Sequence, residues 1–232
     1  MRVVGSGLIA RAFLSYDFGS DVVIFASGVS NSRETELSAY RRESELLKGF
    51  LGKNNQVIYF STCSISDESL INTYYIKHKL EMEKLVLSDK SSRVIRLPQV
   101  VGKSKNKNTL ANFLAWKIFH HETYILQLGS VRNLIDVDDV VSITEILLHS
   151  DWRDKLVSFA LPMFYPTISI VHSLENVLNV KSEHTTIEVS PFYYPDSDFI
   201  KHVVDDGLLV IEDGYLESII RKYYVKFPLG FS

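Results

Sequence analysis

The chain has 232 residues, and its 25 basic and 28 acidic side chains leave a net charge of −3. This balance lacks the excess of Lys and Arg that binding to a phosphate backbone requires, so nucleic acid is not an expected partner. A single cysteine excludes an internal disulfide and a zinc site built from cysteines. Since no run of about 20 apolar residues occurs and the first residues do not resemble a signal peptide, we expect a cytoplasmic protein without a membrane partner.

In chain order, apolar runs that are typical of buried strands alternate with segments of helical periodicity. The predicted strands cover residues 2–4, 22–26, 56–60, 93–101 and 156–161, with a short one at 124–128. The predicted helices cover 8–18, 33–51, 73–87, 109–121 and 137–149. This alternation indicates βαβ units, and we therefore predict an α/β fold with a Rossmann-like parallel sheet.

Beyond residue 160 the alternation becomes less regular, with helices predicted at 168–178 and 215–224 and an extended segment at 185–189. We therefore predict a cofactor-binding core at 1–160 and a small mixed α/β cap at 161–232, to which 103–125 contributes. The aromatic segment 191–195 suits a cap or a surface loop. The C-terminal aromatic residues suit the core of the cap or a dimer face; they are Tyr193, Tyr194, Tyr215, Tyr223, Tyr224 and Phe227.

A glycine-rich loop, Gly5-Ser6-Gly7-Leu8-Ile9-Ala10, lies between the first predicted strand and the first predicted helix. Its G-x-G-x-x-A pattern allows a tight turn, a close approach of a pyrophosphate and close packing of helix on strand. The alternative interpretation is a plain tight turn. The acidic residue that usually follows about 20 residues later and binds the adenosine ribose is absent, because the next predicted strand ends at Ala26-Ser27-Gly28.

Tyr75 and Lys79 are four residues apart on a predicted helix, so both project from one face. A nearby ammonium would lower the pKa of the phenol and allow it to act as an acid or base. Thr62, at the end of the preceding strand, could hold a substrate oxygen, and Ser64 is an alternative for that role. Tyr74 is a competing tyrosine, and an exposed helical Tyr–Lys pair without a function is the other interpretation.

Six segments in sequence order resemble the extended short-chain dehydrogenase/reductase family, in particular the NAD-dependent epimerase/dehydratase type that modifies nucleotide sugars. They are the glycine loop at 5–10, the strand at 21–28, the strand end at 61–65, the Tyr-x-x-x-Lys at 75–79, the segment RLPQVVG at 96–102 and the segment RNLIDVDDV at 132–140.

The resemblance implies a role for each matching position. Tyr75 would be the catalytic acid or base, Lys79 would bind the nicotinamide ribose and tune Tyr75, and Thr62 would hydrogen-bond the reacting sugar oxygen. Gln99 and Arg132 would contact substrate, the arginine through its diphosphate. The remaining positions would contact NAD or NADP; they are Gly5, Gly7, Leu8, Ile9, Ala26, Ser27, Gly28 and Pro98.

The segment 21–28 resembles the fourth strand of the family rather than the second, so the second and third strands are missing. Strands one and four are neighbours in this fold, and the shortened sheet is therefore expected to remain continuous. Its new edge would be open or covered by a partner subunit, and a homodimer is expected. The loss of the adenosine side leaves open whether NAD or NADP is bound.

The resemblance thus implies an NAD(P)-dependent oxidoreductase or epimerase of a nucleotide-diphosphate sugar. Reduction or epimerisation is favoured over dehydration, because Cys63 and Ser64 occupy positions where dehydratases commonly have Asp and Glu. The alternative is a protein with impaired catalysis that binds nucleotides or serves as a scaffold. No metal site is expected. The aspartates Asp136, Asp138 and Asp139 fit a helix start, the adjacent His120 and His121 point apart, and Cys63 is expected to be a buried, inert thiol.

Overall fold

The computed structural model describes residues 1–32, 34–190 and 197–227. The aromatic segment 191–195, with Tyr193 and Tyr194, lies outside the described residues. The strands are β1 (Arg2–Val4), β2 (Val22–Phe25), β3 (Gln56–Thr62), β4 (Arg93–Leu97), β5 (Gln99–Val101), β6 (Tyr124–Leu128), β7 (Val131–Arg132), β8 (Leu134–Asp136), β9 (Leu156–Ser158), β10 (Tyr165–Pro166) and β11 (His184–Glu188). The helices are α1 (Leu8–Phe13), α2 (Leu37–Lys48), α3 (Tyr74–Leu87), α4 (Leu110–Phe119), α5 (Val137–His149), α6 (Thr167–Leu178), α7 (Asp198–Asp205) and α8 (Tyr215–Tyr224).

The main sheet has five strands in the order β1-β2-β3-β4-β9, and every neighbouring pair is parallel. Helices cover both faces, which explains why all four residues of β2 are buried. The predicted α/β fold with a Rossmann-like parallel sheet is therefore confirmed. Among the described residues, no helix is long and apolar enough to cross a membrane.

The two faces of the sheet carry separate apolar clusters. On β2, Ile24 packs in the cluster with Phe13 of α1 and Val140 of α5. The alternate residue Phe25 packs on the opposite face with helices α2 and α3. Helix α1 therefore lies on the face opposite to α2 and α3. The strands β1, β2, β3 and β4, however, occupy successive positions across the sheet in one direction. The β1-α1-β2 crossover consequently has the opposite hand to the next two crossovers.

This reversed crossover is rare, because about 98% of parallel crossovers are right-handed. It has a simple origin in the usual doubly wound sheet, whose strand order is 3-2-1-4-5-6. In that sheet strand one lies between strand two and strand four, and the helix after strand one belongs to the connection toward strand two. When strands two and three are missing, that helix stays on the same face of the sheet, but the chain continues from strand one directly to strand four. The arrangement agrees with the interpretation that 21–28 corresponds to a fourth strand, and it leaves β1 at the sheet edge.

For two of the predicted elements, the difference from the observed element has an identifiable reason. The helix predicted at 8–18 ends at Phe13, because Asp17 and Gly19 form a turn in which Asp17 Oδ1 accepts hydrogen bonds from Gly19 N and the N-terminal amine. The strand predicted at 93–101 divides at Pro98. Proline has no N–H for a sheet hydrogen bond, and the chain leaves the main sheet there for β5, which pairs with β8.

Another apolar cluster joins α4, β6, α6 and α8 and includes the C-terminal aromatic residues Tyr224 and Phe227. Strand β6 pairs in parallel with β11. Helix α7 does not join this cluster, because Phe199, Ile200 and Val203 pack against the main sheet. Residues beyond 160 thus contribute to this cluster and to the main-sheet cluster that contains Ile24.

Candidate active site

The carboxyl ends of the parallel strands bring most of the predicted site residues to one edge of the sheet. Gly5 follows β1, Ala26 follows β2, Thr62 ends β3 and Pro98 follows β4. The register places Val4 beside Phe25 and Thr62 beside Leu97, so these positions lie at similar heights along the sheet. Ligands of open α/β sheets bind outside this edge.

Gly5 and Gly7 have different structural requirements within the glycine loop. Gly5 has φ +128°, and a Cβ there would collide with the carbonyl oxygen of Ala26. Gly7 precedes α1 with φ −74°, and a Cβ there would meet nothing within 4 Å. The first glycine is therefore required by the fold, whereas the second leaves open space over the backbone at the loop.

This difference predicts opposite outcomes for two substitutions. Gly5→Ala is expected to lower the free energy of unfolding by about 2 kcal/mol or more, because the residue must adopt a strained φ and displace Ala26. Gly7→Ala is expected to leave stability within about 0.5 kcal/mol while weakening the binding of a pyrophosphate-containing ligand. Urea unfolding and ligand titration of both variants check this prediction, and equal stability of the two variants would contradict it.

Tyr75 and Tyr74 begin α3, and the fold distinguishes them clearly. Tyr75 is 8% exposed, whereas Tyr74 is 61% exposed. Thr62 Oγ1 accepts a hydrogen bond from Ser64 N at 3.1 Å, and the Thr62 side chain is near enough to the phenol of Tyr75 to lower the pKa of that phenol. Of the two tyrosines considered from the sequence, Tyr75 is thus the buried one, and Thr62 lies near it.

The electrostatic environment of Tyr75 contradicts the expectation that Lys79 lowers its pKa. Burial raises the pKa of Tyr75 to about 12; the nearby side chain of Thr62 opposes this shift, and the negative charge of Glu43 adds to it. Lys79 Nζ lies 5.9 Å from the centre of the Tyr75 ring and has closer partners. Tyr75 is therefore a protonated phenol at neutral pH.

Those closer partners form a buried polar cluster that the sequence did not indicate. Lys79 Nζ donates to Tyr59 OH at 2.9 Å and to Glu43 Oε1 at 3.4 Å. Glu43 on α2 is fully buried, and His78 Nε2 lies 3.1 Å from its Oε2. One sequence feature is consistent with the burial of Glu43: it is three residues after Tyr40 and four before Leu47, on the apolar stripe of its helix.

The two predicted substrate residues lie close to each other on short strands. Gln99 begins β5, and its N–H donates to the carbonyl of Asn133, the residue after Arg132. Arg132 is half-buried and donates to Gln127 Oε1 at 3.1 Å and to the carbonyl of Val131 at 2.9 Å. Thr62, Tyr75 and Lys79 form a separate group at β3 and α3.

A cavity of about 540 Å³ lies beside helix α1, close to the glycine loop. It is bounded by Leu8 and Arg11 of α1, by Lys103 and Lys105, and by Asp138 of α5. Arg11 connects the loop to this segment by donating to the carbonyls of Ser6 at 2.9 Å and Lys103 at 3.2 Å. The three cations make this region electropositive, which suits a phosphate-containing ligand.

The aspartates at the start of α5 have structural partners. Asp136 caps the helix by accepting a hydrogen bond from Asp138 N at 2.9 Å. Lys222 of α8 lies 2.7 Å from a carboxylate oxygen of both Asp136 and Asp138, and Tyr215 donates to Asp139. These contacts dock α8 on α5. No group of three or more metal-ligating side chains is suitably placed anywhere in residues 1–32, 34–190 and 197–227.

Cys63 and His120, which were also considered from the sequence, have surroundings that indicate structural roles. Cys63 is buried, and burial raises the pKa of its thiol to about 11, so it is not a thiolate at neutral pH. His120 stacks on Trp116 with ring centroids 3.7 Å apart.

Comparison with known proteins gives matches at the level of structure alone. No family model and no curated protein sequence matches the chain. The structure of RMD from Pseudomonas aeruginosa complexed with NADPH matches with a TM-score of 0.70 at 15% identity and covers 96% of this chain and 97% of that one. WbmG from Bordetella bronchiseptica, in complex with NAD and UDP, matches with a TM-score of 0.69 at 14% identity, covering 97% and 77%.

A UDP-N-acetylglucosamine 4-epimerase from Methanobrevibacter ruminantium, in complex with UDP-N-acetylmuramic acid, has a TM-score of 0.68 at 13% identity and covers 91% of this chain and 77% of its own. These likenesses confirm the fold that the six sequence segments implied. The chain therefore shares the fold of these three proteins.

Proposed function

We propose that the protein is an NAD(P)-dependent oxidoreductase or epimerase of a nucleotide-diphosphate sugar, which either reduces a keto group of the sugar or epimerises the sugar at one carbon. The observation that carries this proposal is the proximity of the buried Tyr75 to Thr62 at the carboxyl edge of the sheet, with Lys79 one helical turn away. A phenol and a hydroxyl that lie close together can hold one carbonyl or alcohol oxygen between them.

The residues at this edge fit a dinucleotide in several respects. Open space over Gly7 allows a pyrophosphate to approach the backbone near Leu8 and Ile9. Lys79 has three N–H donors, of which Tyr59 and Glu43 take two, so one is available to a ribose hydroxyl. When bound, the nicotinamide cofactor would supply hydride transfer.

The chain itself would supply proton transfer and orientation. With a pKa of about 12, Tyr75 keeps its proton at neutral pH and can donate it to a sugar oxygen. Thr62 would hold the same oxygen. We assign the sugar and diphosphate to Gln99 and Arg132, and the cofactor to Gly5, Gly7, Leu8, Ile9, Ala26, Ser27, Gly28 and Pro98, on the basis of the resemblance and of their positions around the sheet edge.

The substrate class is supported by the ligands in the similar structures, which include UDP and UDP-N-acetylmuramic acid. We also propose that residues 161–232, with 103–125, form the substrate-binding cap on a core at 1–160, and that the protein is a cytoplasmic homodimer.

A second candidate function, nucleotide or nucleotide-sugar binding without catalysis, is favoured by one observation. The ammonium of Lys79 is paired with the buried carboxylate of Glu43, and this pairing weakens the influence of the charge on Tyr75. Catalysis would then be impaired even if the ligands bind.

A thermal-shift screen with NAD(H), NADP(H) and a panel of nucleotide sugars, followed by turnover assays with the ligands that bind, separates these possibilities. A ligand at 100 times its Kd stabilises the folded state by about 2.7 kcal/mol and raises the melting temperature accordingly. We expect one cofactor and one nucleotide sugar to give such shifts, with a weaker cofactor shift in Gly7→Ala. Binding without turnover would support the second function, and no shift with any of these ligands would reject both.

A further inference from the structure

The carboxylate of Glu43 contacts three different parts of the chain through its two oxygens. Glu43 Oε1 accepts hydrogen bonds from Tyr59 OH at 2.7 Å and from Lys79 Nζ at 3.4 Å. Glu43 Oε2 accepts a hydrogen bond from Val29 N at 2.7 Å and lies 3.1 Å from His78 Nε2. Because Glu43 is fully buried, its charge depends on these partners. One side chain of α2 therefore joins β3, α3 and the loop after β2.

The loop after β2 lies between the glycine loop and the ammonium of Lys79. At its beginning, a Cβ on Gly5 would collide with the carbonyl oxygen of Ala26. At its end, a Cβ on Gly28 would lie 2.9 Å from Lys79 Nζ and 3.0 Å from Glu43 Oε1. The loop backbone therefore packs on the glycine loop at one end and on the buried ion pair at the other.

The partners of Glu43 require a carboxylate at this position. A backbone N–H and an ammonium can only donate hydrogen bonds, and here Val29 N and Lys79 Nζ reach different oxygens of the same side chain. Glutamine has the same length but offers one oxygen and one NH₂ group, so it would turn donors toward one of these two donors. It can hold the loop or the ammonium, but not both.

From this geometry we infer that Glu43 is a positioning residue: its carboxylate holds the ammonium of Lys79 and the backbone of the loop after β2 in one fixed arrangement at the carboxyl edge of the sheet. The inference rests on the proposed function, in which Gly28 and Lys79 contact the same cofactor. The contacts with Tyr59 and Glu43 fix two of the three N–H donors of Lys79 and thereby set the direction of the third. A cofactor would meet preorganised groups, which lowers the cost of ordering them on binding.

The first test needs no ligand and compares Glu43→Gln with Glu45→Gln, an exposed position on the same helix. NMR of isotope-labelled protein follows the amide hydrogen exchange of Val29 and the ammonium signal of Lys79, which is assigned by its loss in Lys79→Met. In Glu43→Gln we expect exchange of Val29 to become at least about tenfold faster, or the ammonium signal to be lost, because glutamine satisfies only one of the two donors. Glu45→Gln should change neither. Wild-type behaviour of both groups in folded Glu43→Gln would overturn the inference.

The second test separates positioning from a merely structural role. In Glu43→Gln, the Kd of whichever of NADH and NADPH binds the wild type should rise about tenfold, because the groups that meet the cofactor are no longer preorganised. The Kd of the nucleotide sugar should change little, and Glu45→Gln should keep the wild-type affinity for both. A structural role alone would lower the melting temperature without this difference between the two ligands. Unchanged cofactor affinity in folded Glu43→Gln would therefore overturn the inference.

Gly28→Ala provides the same test if Glu43→Gln does not fold. Gly28 is not among the glycines with positive φ, so alanine does not strain the backbone there, and its methyl group displaces the ion pair without removing a charge. Exchange of Val29 should again become faster and cofactor affinity weaker; wild-type values of both would overturn the inference. If neither NADH nor NADPH binds the wild-type protein, the proposed function fails, whereas the exchange and ammonium measurements still decide whether Glu43 holds the loop and Lys79.

Discussion

Replacing Tyr75 with phenylalanine is expected to lower turnover of the true substrate by about 10²–10⁴-fold, the usual contribution of a positioned acid or base. The substitution removes only the hydroxyl, and the buried ring keeps its packing with Val29, Tyr40 and Ile76. Binding of the cofactor should therefore change little. Steady-state kinetics and cofactor titration of the purified variant measure the two effects separately.

Tyr74→Phe is the matched control, because this neighbouring tyrosine is 61% exposed. It should retain wild-type turnover. The loss in Tyr75→Phe should appear in kcat rather than in KM, since the proton is transferred in the transition state. Full turnover by Tyr75→Phe would eliminate the proposed mechanism, and an equal loss in both variants would assign the effect to the start of α3 instead of to one hydroxyl.

Replacing Lys79 with methionine is expected to lower the free energy of unfolding by about 3 kcal/mol at neutral pH, because it leaves the buried carboxylate of Glu43 without its cation. The remaining contacts with His78, Tyr59 and Val29 place this loss at the lower end of what a broken buried pair costs. Lys77→Met, at an exposed position of the same helix, should stay within about 0.5 kcal/mol of the wild type. Urea unfolding measures both variants.

The difference in the free energy of unfolding between Lys79→Met and the wild type should depend on pH, in a direction that follows from the pKa of Glu43. In the wild-type protein the pKa of Glu43 is lowered from 4.5 to about 2, so its contribution to stability is complete above about pH 4.5 and is lost as the pH falls toward 2. In Lys79→Met, burial without the cation raises the pKa of Glu43. The deficit of the variant should therefore shrink as the pH falls and the carboxylate takes up a proton. A deficit that is constant between pH 7 and pH 4 would show that lost packing, not the unpaired charge, causes it.

Much of the architecture could be predicted from local patterns. The alternation of apolar runs and helical segments predicted the main-sheet strands, although those strands are shorter than predicted at several ends. Helix α7 and the short strands β7, β8 and β10 were not predicted. Two- or three-residue strands carry no periodicity, and the apolar face of α7 spans only eight residues.

The sequence by itself determined the fold class, the glycine loop and the order in which Thr62, Tyr75 and Lys79 follow β3, because strand periodicity, turn chemistry and helical spacing are local properties. Only the tertiary structure decided which groups surround Lys79. Glu43 is 36 residues away from Lys79 in the chain, and the two meet because the sheet places α2 beside α3. The direction of the pKa shift at Tyr75 depends on that meeting and on burial, which are properties of packing and cannot be inferred from the spacing of tyrosine and lysine.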